Sequence, residues 1–480
     1  MSKSLKTILL AASGLVGLLI LIAAALLLFV DANYYKPRLE AAASDALGMK
    51  VKINGQLGIS FFPGLLLTLK SVHISNRGML LASADEARLG IDLLPLLHDE
   101  VRVRNISLIH PSIFIEQDRN GKFNFEEPET SGGTLPTLDL SNVSFSEGTL
   151  SYMEKQSGDG FELGECSLDV RHWQFAGGES TNLIKQLAIT ADIACGMFKT
   201  RNFAASGLKF TLAGQGGVFD LKPLTLTVFG KQGSGNIQAD FSGAVPLYRF
   251  HFALPQFRIE EFFKNLSPNK VAQGTMDFSA NLTMHGKTIS RMKQSADGNI
   301  SLRGKNLTLT GIDLDQQFAR FESSQNFNLV DVGAFFFVGP LGLAVTKGYN
   351  FASIFKGSGG SSEIRTLVSD WKVEHGVAHA QDVAMATNKN RIALQGGLDF
   401  VNEQLNDVSI ALIDAKGCAI VRQKIHGPFQ KPVVEKPNVL ISLAGPVLKL
   451  LKKGMAILSG GECKVIYSGS VSMGADSIDR

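Results

Sequence analysis

MKVKINGQLGISFFPGLLLTLKSVHISN, from Met49 to Asn76, decides the fold. Val51, Ile53, Gly55, Leu57, Ile59 and Phe61 share one parity, and Lys50, Lys52, Asn54, Gln56 and Ser60 share the other. That is the period-two pattern of a strand with one apolar and one polar face. Gly55 and Gly58 leave room for a bend, bulge or hairpin within the run, so the prediction is the alternation rather than one straight strand.

Working outward, the second half of the stretch recurs. LTLKSVHI from Leu67, VRVRNISL from Val101 and LDLSNVSF from Leu138 are three copies, at spacings of 34 and 37 residues. Each holds two alternating apolar residues, a Ser or Asn, and two more apolar residues on the opposite parity. The switch at Ser71, Asn105 and Asn142 predicts a bulge or a break between strands, which keeps both apolar pairs on one face. A weaker echo, ISLRGKNLTLTGI, begins at Ile300. In-register copies imply a stacked, extended sheet; a sandwich whose strands merely share β propensity is the alternative.

Upstream, Ile8 to Val30 carries no charge. A helix of that length at about 1.5 Å per residue covers a bilayer core of roughly 30 Å, and the run reads as a transmembrane helix. A cleaved signal peptide is the competing reading, with Val30-Asp31-Ala32 as its cleavage site, but typical h-regions are shorter, about 7 to 15 residues. Pro37 to Leu47 reads as a short helix stopped by Gly48. Downstream, strands broken by glycine turns run from Glu147 to Pro255, Phe257 to Asn265 reads as a short helix, and Leu314 to Phe355 has no decisive period. After Pro446, Val447, Leu448, Leu450, Leu451, Met455, Ile457 and Leu458 fall on one arc against Lys449, Lys452 and Lys453, an amphipathic helix. The expected organisation is a tail and transmembrane helix over 1–35, β regions over 36–255 and 256–436, and a C-terminal helix and tail over 437–480.

Composition limits the function. A chain of 480 residues exceeds one ordinary core. A net charge of +3 without a long basic block argues against nucleic acid as a partner. With 49 Gly against 15 Pro among many Val, Ile, Leu, Phe and Thr, the body is a turn-rich all-β one rather than a disordered chain. Cys166, Cys195, Cys418 and Cys463 lack the spacing of a redox or zinc site. In an oxidising compartment Cys166 with Cys195 and Cys418 with Cys463 are available as disulfides, but spacing does not fix connectivity, and free buried thiols are the alternative. His375, His379 and Asp382 make a poor metal trio, since alternation turns Asp382 away from the two histidines. GKQGSGN from Gly230 lacks the Lys-Ser/Thr ending of a phosphate loop, and no G-x-S-x-G elbow occurs. Neither catalysis nor a cofactor is expected.

The uncharged N-terminal run, YYKPRLEAAASDALGMKVKINGQLGISFFPGLLLTLKSVHISN and LLPLLHDEVRVRNISLIHPSIFIEQDRNGKFNF together resemble the AsmA family of bacterial envelope proteins. So do GNISLRGKNLTLTGIDL, WKVEHGVAHAQDVAMAT, RIALQGGLDF and IHGPFQKP further on. The resemblance implies a single-pass protein of the bacterial inner membrane, with most of the chain in the periplasm. It also implies a long curved antiparallel sheet whose concave apolar face forms a groove. The family is similar to bridge-like, chorein-type lipid-transfer proteins and is implicated in moving phospholipid toward the outer membrane. The expected partners are phospholipid acyl chains, the inner membrane and an envelope partner protein. The candidate lining is Val51, Ile53, Leu57, Ile59, Phe61, Leu67, Leu69, Val101, Val103, Leu138 and Leu140. An anchored scaffold that assists outer-membrane protein assembly is the alternative function.

Overall fold

The structure, a computed structural model, describes residues 32–60, 64–92, 103–125, 134–135, 138–140, 142–175, 178–179, 183–201, 203–263, 272–311, 313–316, 360–436, 438–439 and 465–472. They are mostly β. In chain order the strands are β1 (Lys50–Ile53), β2 (Leu57–Ser60), β3 (Leu65–Asn76), β4 (Met79–Ile91), β5 (Val103–Ile109), β6 (Ser112–Gln117), β7 (Thr134–Leu135), β8 (Leu138–Leu140), β9 (Asn142–Glu154), β10 (Gly160–Phe175), β11 (Gly178–Glu179), β12 (Leu187–Thr200) and β13 (Ala204–Gln215). They continue as β14 (Val218–Val228), β15 (Lys231–Asp240), β16 (Leu247–Arg258), β17 (Ala272–Gln273), β18 (Thr275–His285), β19 (Asp297–Thr310), β20 (Ser361–Glu374), β21 (Val377–Thr387), β22 (Arg391–Asp399), β23 (Gln404–Ile413), β24 (Ala419–Pro428), β25 (Val433–Val434) and β26 (Asn438–Val439). The described helices are short: α1 (Lys36–Leu47), α2 (Leu183–Gln186), α3 (Ile259–Phe263) and α4 (Ile289–Gln294). All the strands except β7 and β11, which pair with each other, belong to one large mixed sheet.

The chain divides into two units, Met1–Thr200 with Leu208–Asp220, and Arg201–Gly207 with Leu221–Arg480. In the first, β1 and β2 pair side by side along β3, and β3 pairs with β4, all antiparallel. β4 pairs antiparallel with β5 and β6, which are two halves of one strand interrupted at His110-Pro111. The next ladder overturns the purely antiparallel expectation: β5 and β6 pair with β9 in parallel. Parallel neighbours require a crossover of about a dozen residues or more, and the chain between Gln117 and Asn142 provides it. The antiparallel order resumes from β9 to β10 to β12.

In the second unit β15, β16, β18, β19, β20, β21, β22, β23 and β24 follow one another as an antiparallel meander. His375, at φ 51, and Gly376, at φ 79, make the two-residue turn between β20 and β21. Both central residues of such a turn take positive φ, so a glycine suits the second position. His375 is therefore a turn residue and not part of a strand.

The helix expected over Pro37 to Leu47 is α1, with Gly48 as its left-handed cap at φ 63. The short helix expected within Phe257 to Asn265 is α3. The expected anchor over Ile8 to Val30 and the amphipathic helix after Pro446 lie outside the described residues. Among the described residues no helix is long and apolar enough to cross a membrane. Cys166 and Cys195 stand opposite each other on β10 and β12 and form a disulfide. Cys418 is also disulfide-bonded; Cys463, the partner considered above, lies outside the described residues.

Candidate apolar face of the first unit

Residues directly opposite one another in a ladder share a face, so the register shows where the predicted lining lies. Leu57 stands opposite Leu69, Leu69 opposite Ala87, Ala87 opposite Leu108, Leu108 opposite Phe145, Phe145 opposite Leu168 and Leu168 opposite Ile193. A second row runs Ile59, Leu67, Leu89, Ile106, Val143, Val170, Ala191. A third joins Val51, Ile74, Ala82, Ile113, Leu150, Leu163 and Phe198. Each row crosses seven strand positions without a polar residue. The adjacent row on the other face reads Gly58, Thr68, Arg88, Ser107, Ser144, Asp169, Asp192.

The face holds together because every strand switches parity at the same level. Ser71, His110, Glu147 and Glu165 all have left-handed backbone, φ 48 to 54. Across that seam the apolar pairs move from Leu69 to Val72, from Leu108 to Ile113, from Phe145 to Leu150 and from Leu168 to Leu163. The switch expected at Ser71 is this feature. The one expected at Asn105 is a bulge, since β4 and β5 shift register between Gly90 and Ile91. At Asn142 it is a break between β8 and β9.

Val51, Ile53, Leu57 and Leu67 are buried, while Ile59, Leu69 and Val103 are half-buried. Leu138 and Leu140 lie in β8 opposite Phe175 and Trp173. Phe61 and Val101 lie outside the described residues. Further along the rows Leu89, Ile106, Leu108, Val143, Phe145 and Leu150 are half-buried as well. These large aliphatic and aromatic groups keep part of their surface exposed, and Val143 among them also packs against the buried cluster of Val170, Ile189 and Ala191.

Two borders of this face were not anticipated. At its first edge the outward N–H groups of β1 and β2 are taken by side chains instead of another strand. Ser44 Oγ accepts from Val51 N at 2.9 Å, Glu40 Oε1 from Ile53 N at 2.7 Å and Asn33 Oδ1 from Leu57 N at 3.0 Å. Lys52 also pairs with Glu40 at 3.1 Å. The Ile53 N–H holds the Glu40 carboxyl below its usual range; partial burial opposes this, and Lys52 adds to it. Covering an edge in this way removes a template for unwanted strand pairing.

Where β3, β6 and β9 end, the apolar rows meet a buried polar border of Asn76, Gln117, Asn124 and Glu154. Asn124 acts as a miniature strand: its Oδ1 accepts from Glu116 N at 3.1 Å and its Nδ2 donates to Phe114 O at 2.7 Å. Asn76 Nδ2 donates to Asn124 O at 2.8 Å, and Tyr152 OH to Gln117 Oε1 at 2.9 Å. The signal was present in the sequence, since Asn76, Gln117 and Glu154 are polar residues on apolar parity.

On the seam His110 bridges Asp85 at 3.1 Å and Glu147 at 2.6 Å. Its hydrogen bond to Glu147 raises the imidazole pKa, against some desolvation, and the Asp85 contact adds to the rise. All three side chains are exposed, and this is surface electrostatics rather than an acid–base pair in a pocket.

The later strands of the second unit, β20 to β23, treat their apolar face differently. The row Gly304, Leu367, Met385, Ile392, Leu412, Val421 includes Leu367, Met385 and Ile392 with no exposed surface. The reverse face is buried too, because residues 465–472 lie over Ala384, Ala386, Ala393 and Ala411. Asp382, considered above as a metal ligand, accepts hydrogen bonds from Tyr467 and Ser470 of this segment instead. The sealed part of the second unit is thus β20 to β23; on β15, β16 and β18 the row Ile237, Phe250, Leu282 is half-buried, as the rows of the first unit largely are.

No curated protein and no solved structure matches this chain. The family model described as "AsmA family" matches residues 1–183 and again residues 171–336. These matches take in well over half of the sequence, and the chain belongs to the AsmA family.

Proposed function

We propose that this chain is an inner-membrane-anchored envelope protein that holds phospholipid acyl chains on the apolar face of its first unit and passes them toward the outer membrane without covalent chemistry. The supporting observation is the set of seven-position apolar rows, in which Leu69, Leu108, Phe145, Ile59, Leu89, Ile106, Ile113 and Leu150 are only half-buried. Acyl chains leave water on such a face at about 0.8 kcal/mol per buried methylene, while head groups stay at the polar margin. Rows of similar residues offer many nearly equivalent positions, so no single deep site traps the lipid. The disulfide between Cys166 and Cys195 suits an oxidising envelope compartment.

Photo-crosslinking from Ile59 and Leu69 in cells tests the proposal. Phospholipid adducts at both positions are expected; protein adducts without lipid at either position would overturn it. The sealed faces of β20 to β23 favour a second role for that part, a rigid scaffold for an envelope partner in outer-membrane protein assembly. Under a scaffold-only reading the crosslinks from the first unit carry protein alone.

A further inference from the structure

The polar border at the end of β6 and β9 holds one acceptor that the fold leaves unsatisfied. Glu154 has no exposed surface; its Oε2 accepts from Ser157 Oγ at 2.5 Å, and its Oε1 has no hydrogen-bond partner. The polar groups around it are turned elsewhere. Gln117, opposite Glu154 on β6, donates from Nε2 to Gly121 O at 3.0 Å and accepts from Tyr152 OH. The adjacent cation, Lys155, alternates onto the other face and pairs there with Glu116. A buried carboxyl with no basic group beside it is costly to desolvate, and a positive charge brought near it offsets that cost.

Next to this carboxyl lies an aromatic ledge. Alternation puts Leu150, Tyr152 and Glu154 on one face of β9, and Phe161 of β10 stands opposite Tyr152. The ring centroids of Tyr152 and Phe161 are 5.4 Å apart, and those of Phe161 and Phe198 are 6.2 Å apart. All three rings are half-buried, so each keeps part of its surface exposed. Ring faces attract cations within about 6 Å of the centroid. Two residues along a strand separate Tyr152 from Glu154 by about 6–7 Å. A cation on the ledge therefore meets the rings directly and feels the carboxyl at short range through poorly screening surroundings.

The ledge lies between the third apolar row and the border, the level at which the head group of a lipid held on the rows leaves them. We propose that this corner selects the head group: the ammonium of a zwitterionic phospholipid settles on Phe161 and Tyr152 beside Glu154. An anionic head group, with a phosphate and no ammonium, meets only repulsion from the carboxyl. This inference rests on the lipid-holding reading above and goes beyond it by naming the class of lipid preferred.

The test offers the purified full chain in detergent an equimolar mixture of phosphatidylethanolamine and phosphatidylglycerol with the same acyl chains, and counts both bound lipids by mass spectrometry. The wild type should retain the ethanolamine lipid in about ten-fold excess. Glu154→Gln, which keeps an acceptor for Ser157, should bring the ratio close to one with total bound lipid unchanged. Phe161→Leu should lower the ratio about three-fold. A wild-type ratio near one overturns the proposal, and so does an undiminished ratio in Glu154→Gln that circular dichroism shows to be folded. If Glu154→Gln does not fold, an unchanged ratio in Phe161→Leu overturns it. A wild type that binds neither lipid removes the lipid-holding reading itself, a result distinct from lipid bound without preference.

Discussion

Two neighbouring residues on β3 give the sharpest test of the proposed lipid face. Leu69 stands between Leu57 and Ala87 on an apolar row, whereas Thr68 stands between Gly58 and Arg88 on the polar one. Leu69→Asp places a carboxylate among aliphatic groups. An acyl chain lying along the row then loses contact over two or three methylenes, about 2 kcal/mol, or about thirty-fold in affinity. Leu69 is only half-buried, so the loss of folding stability is held to about 1–2 kcal/mol. Thr68→Asp adds the same charge one residue away, opposite Arg88, where a cross-strand pair contributes roughly 0.2–1 kcal/mol. Phospholipid that co-purifies with each protein is quantified by mass spectrometry, with circular dichroism to verify folding. A sharp fall for Leu69→Asp and wild-type occupancy for Thr68→Asp are expected. Equal lipid content in the two folded variants would refute the assignment of faces.

Removing the edge cap with Glu40→Ala should cost about 1–3 kcal/mol, the value of a hydrogen bond to a charged group, measured as a lower urea midpoint at constant slope. Because the Glu40 pKa is depressed below 4.5, its contribution is present above that value and disappears as pH falls through the folded-state pKa, so the variant should show a flatter acid limb. The His110 pKa is raised above 6.5, so its stabilisation is full below 6.5 and is lost as pH rises through the folded-state value. NMR titration of Glu147→Gln should find it moved back toward 6.5, and an unchanged midpoint would rule out Glu147 as the main cause. Cys166→Ser/Cys195→Ser opens a loop with a sequence separation of 29 and should destabilise the first unit by about 3–4 kcal/mol on the chain-entropy account, read as a lower Tm.

Much of the first unit was legible because alternation fixes faces. The 37-residue spacing between the second and third repeat copies proves to be a pairing offset: Asn105 lies opposite Asn142 and Leu108 opposite Phe145. Strand direction was not legible, since a period of two is the same in parallel and antiparallel strands. The direction depends on the crossover after Gln117, which the repeat does not encode. The border at Asn76, Gln117 and Glu154 could have been found by asking which polar residues sit on apolar parity. The packing of residues 465–472 on the reverse face of β20 to β23 offers no such signal, because Asp382 and Ser470 are 88 positions apart and nothing local to either indicates the other.

The contrast between the first unit and β20 to β23 follows from a single physical constraint. A face kept available for acyl chains cannot also be fully buried by its own chain, so the side chains that line it contribute only part of their transfer free energy to folding. The first unit compensates at its margins, with the α1 cap on its leading edge, the buried hydrogen-bonded border around Asn124 and the disulfide across β10 and β12. The strands β20 to β23, with Leu367, Met385 and Ile392 sealed on one face and Ala384, Ala393 and Ala411 covered on the other, have none of that openness. Under the proposed function, substitutions in the second unit's core should therefore act on stability and leave the lipid preference of the folded protein unchanged. Substitutions along the half-buried rows of the first unit should do the reverse.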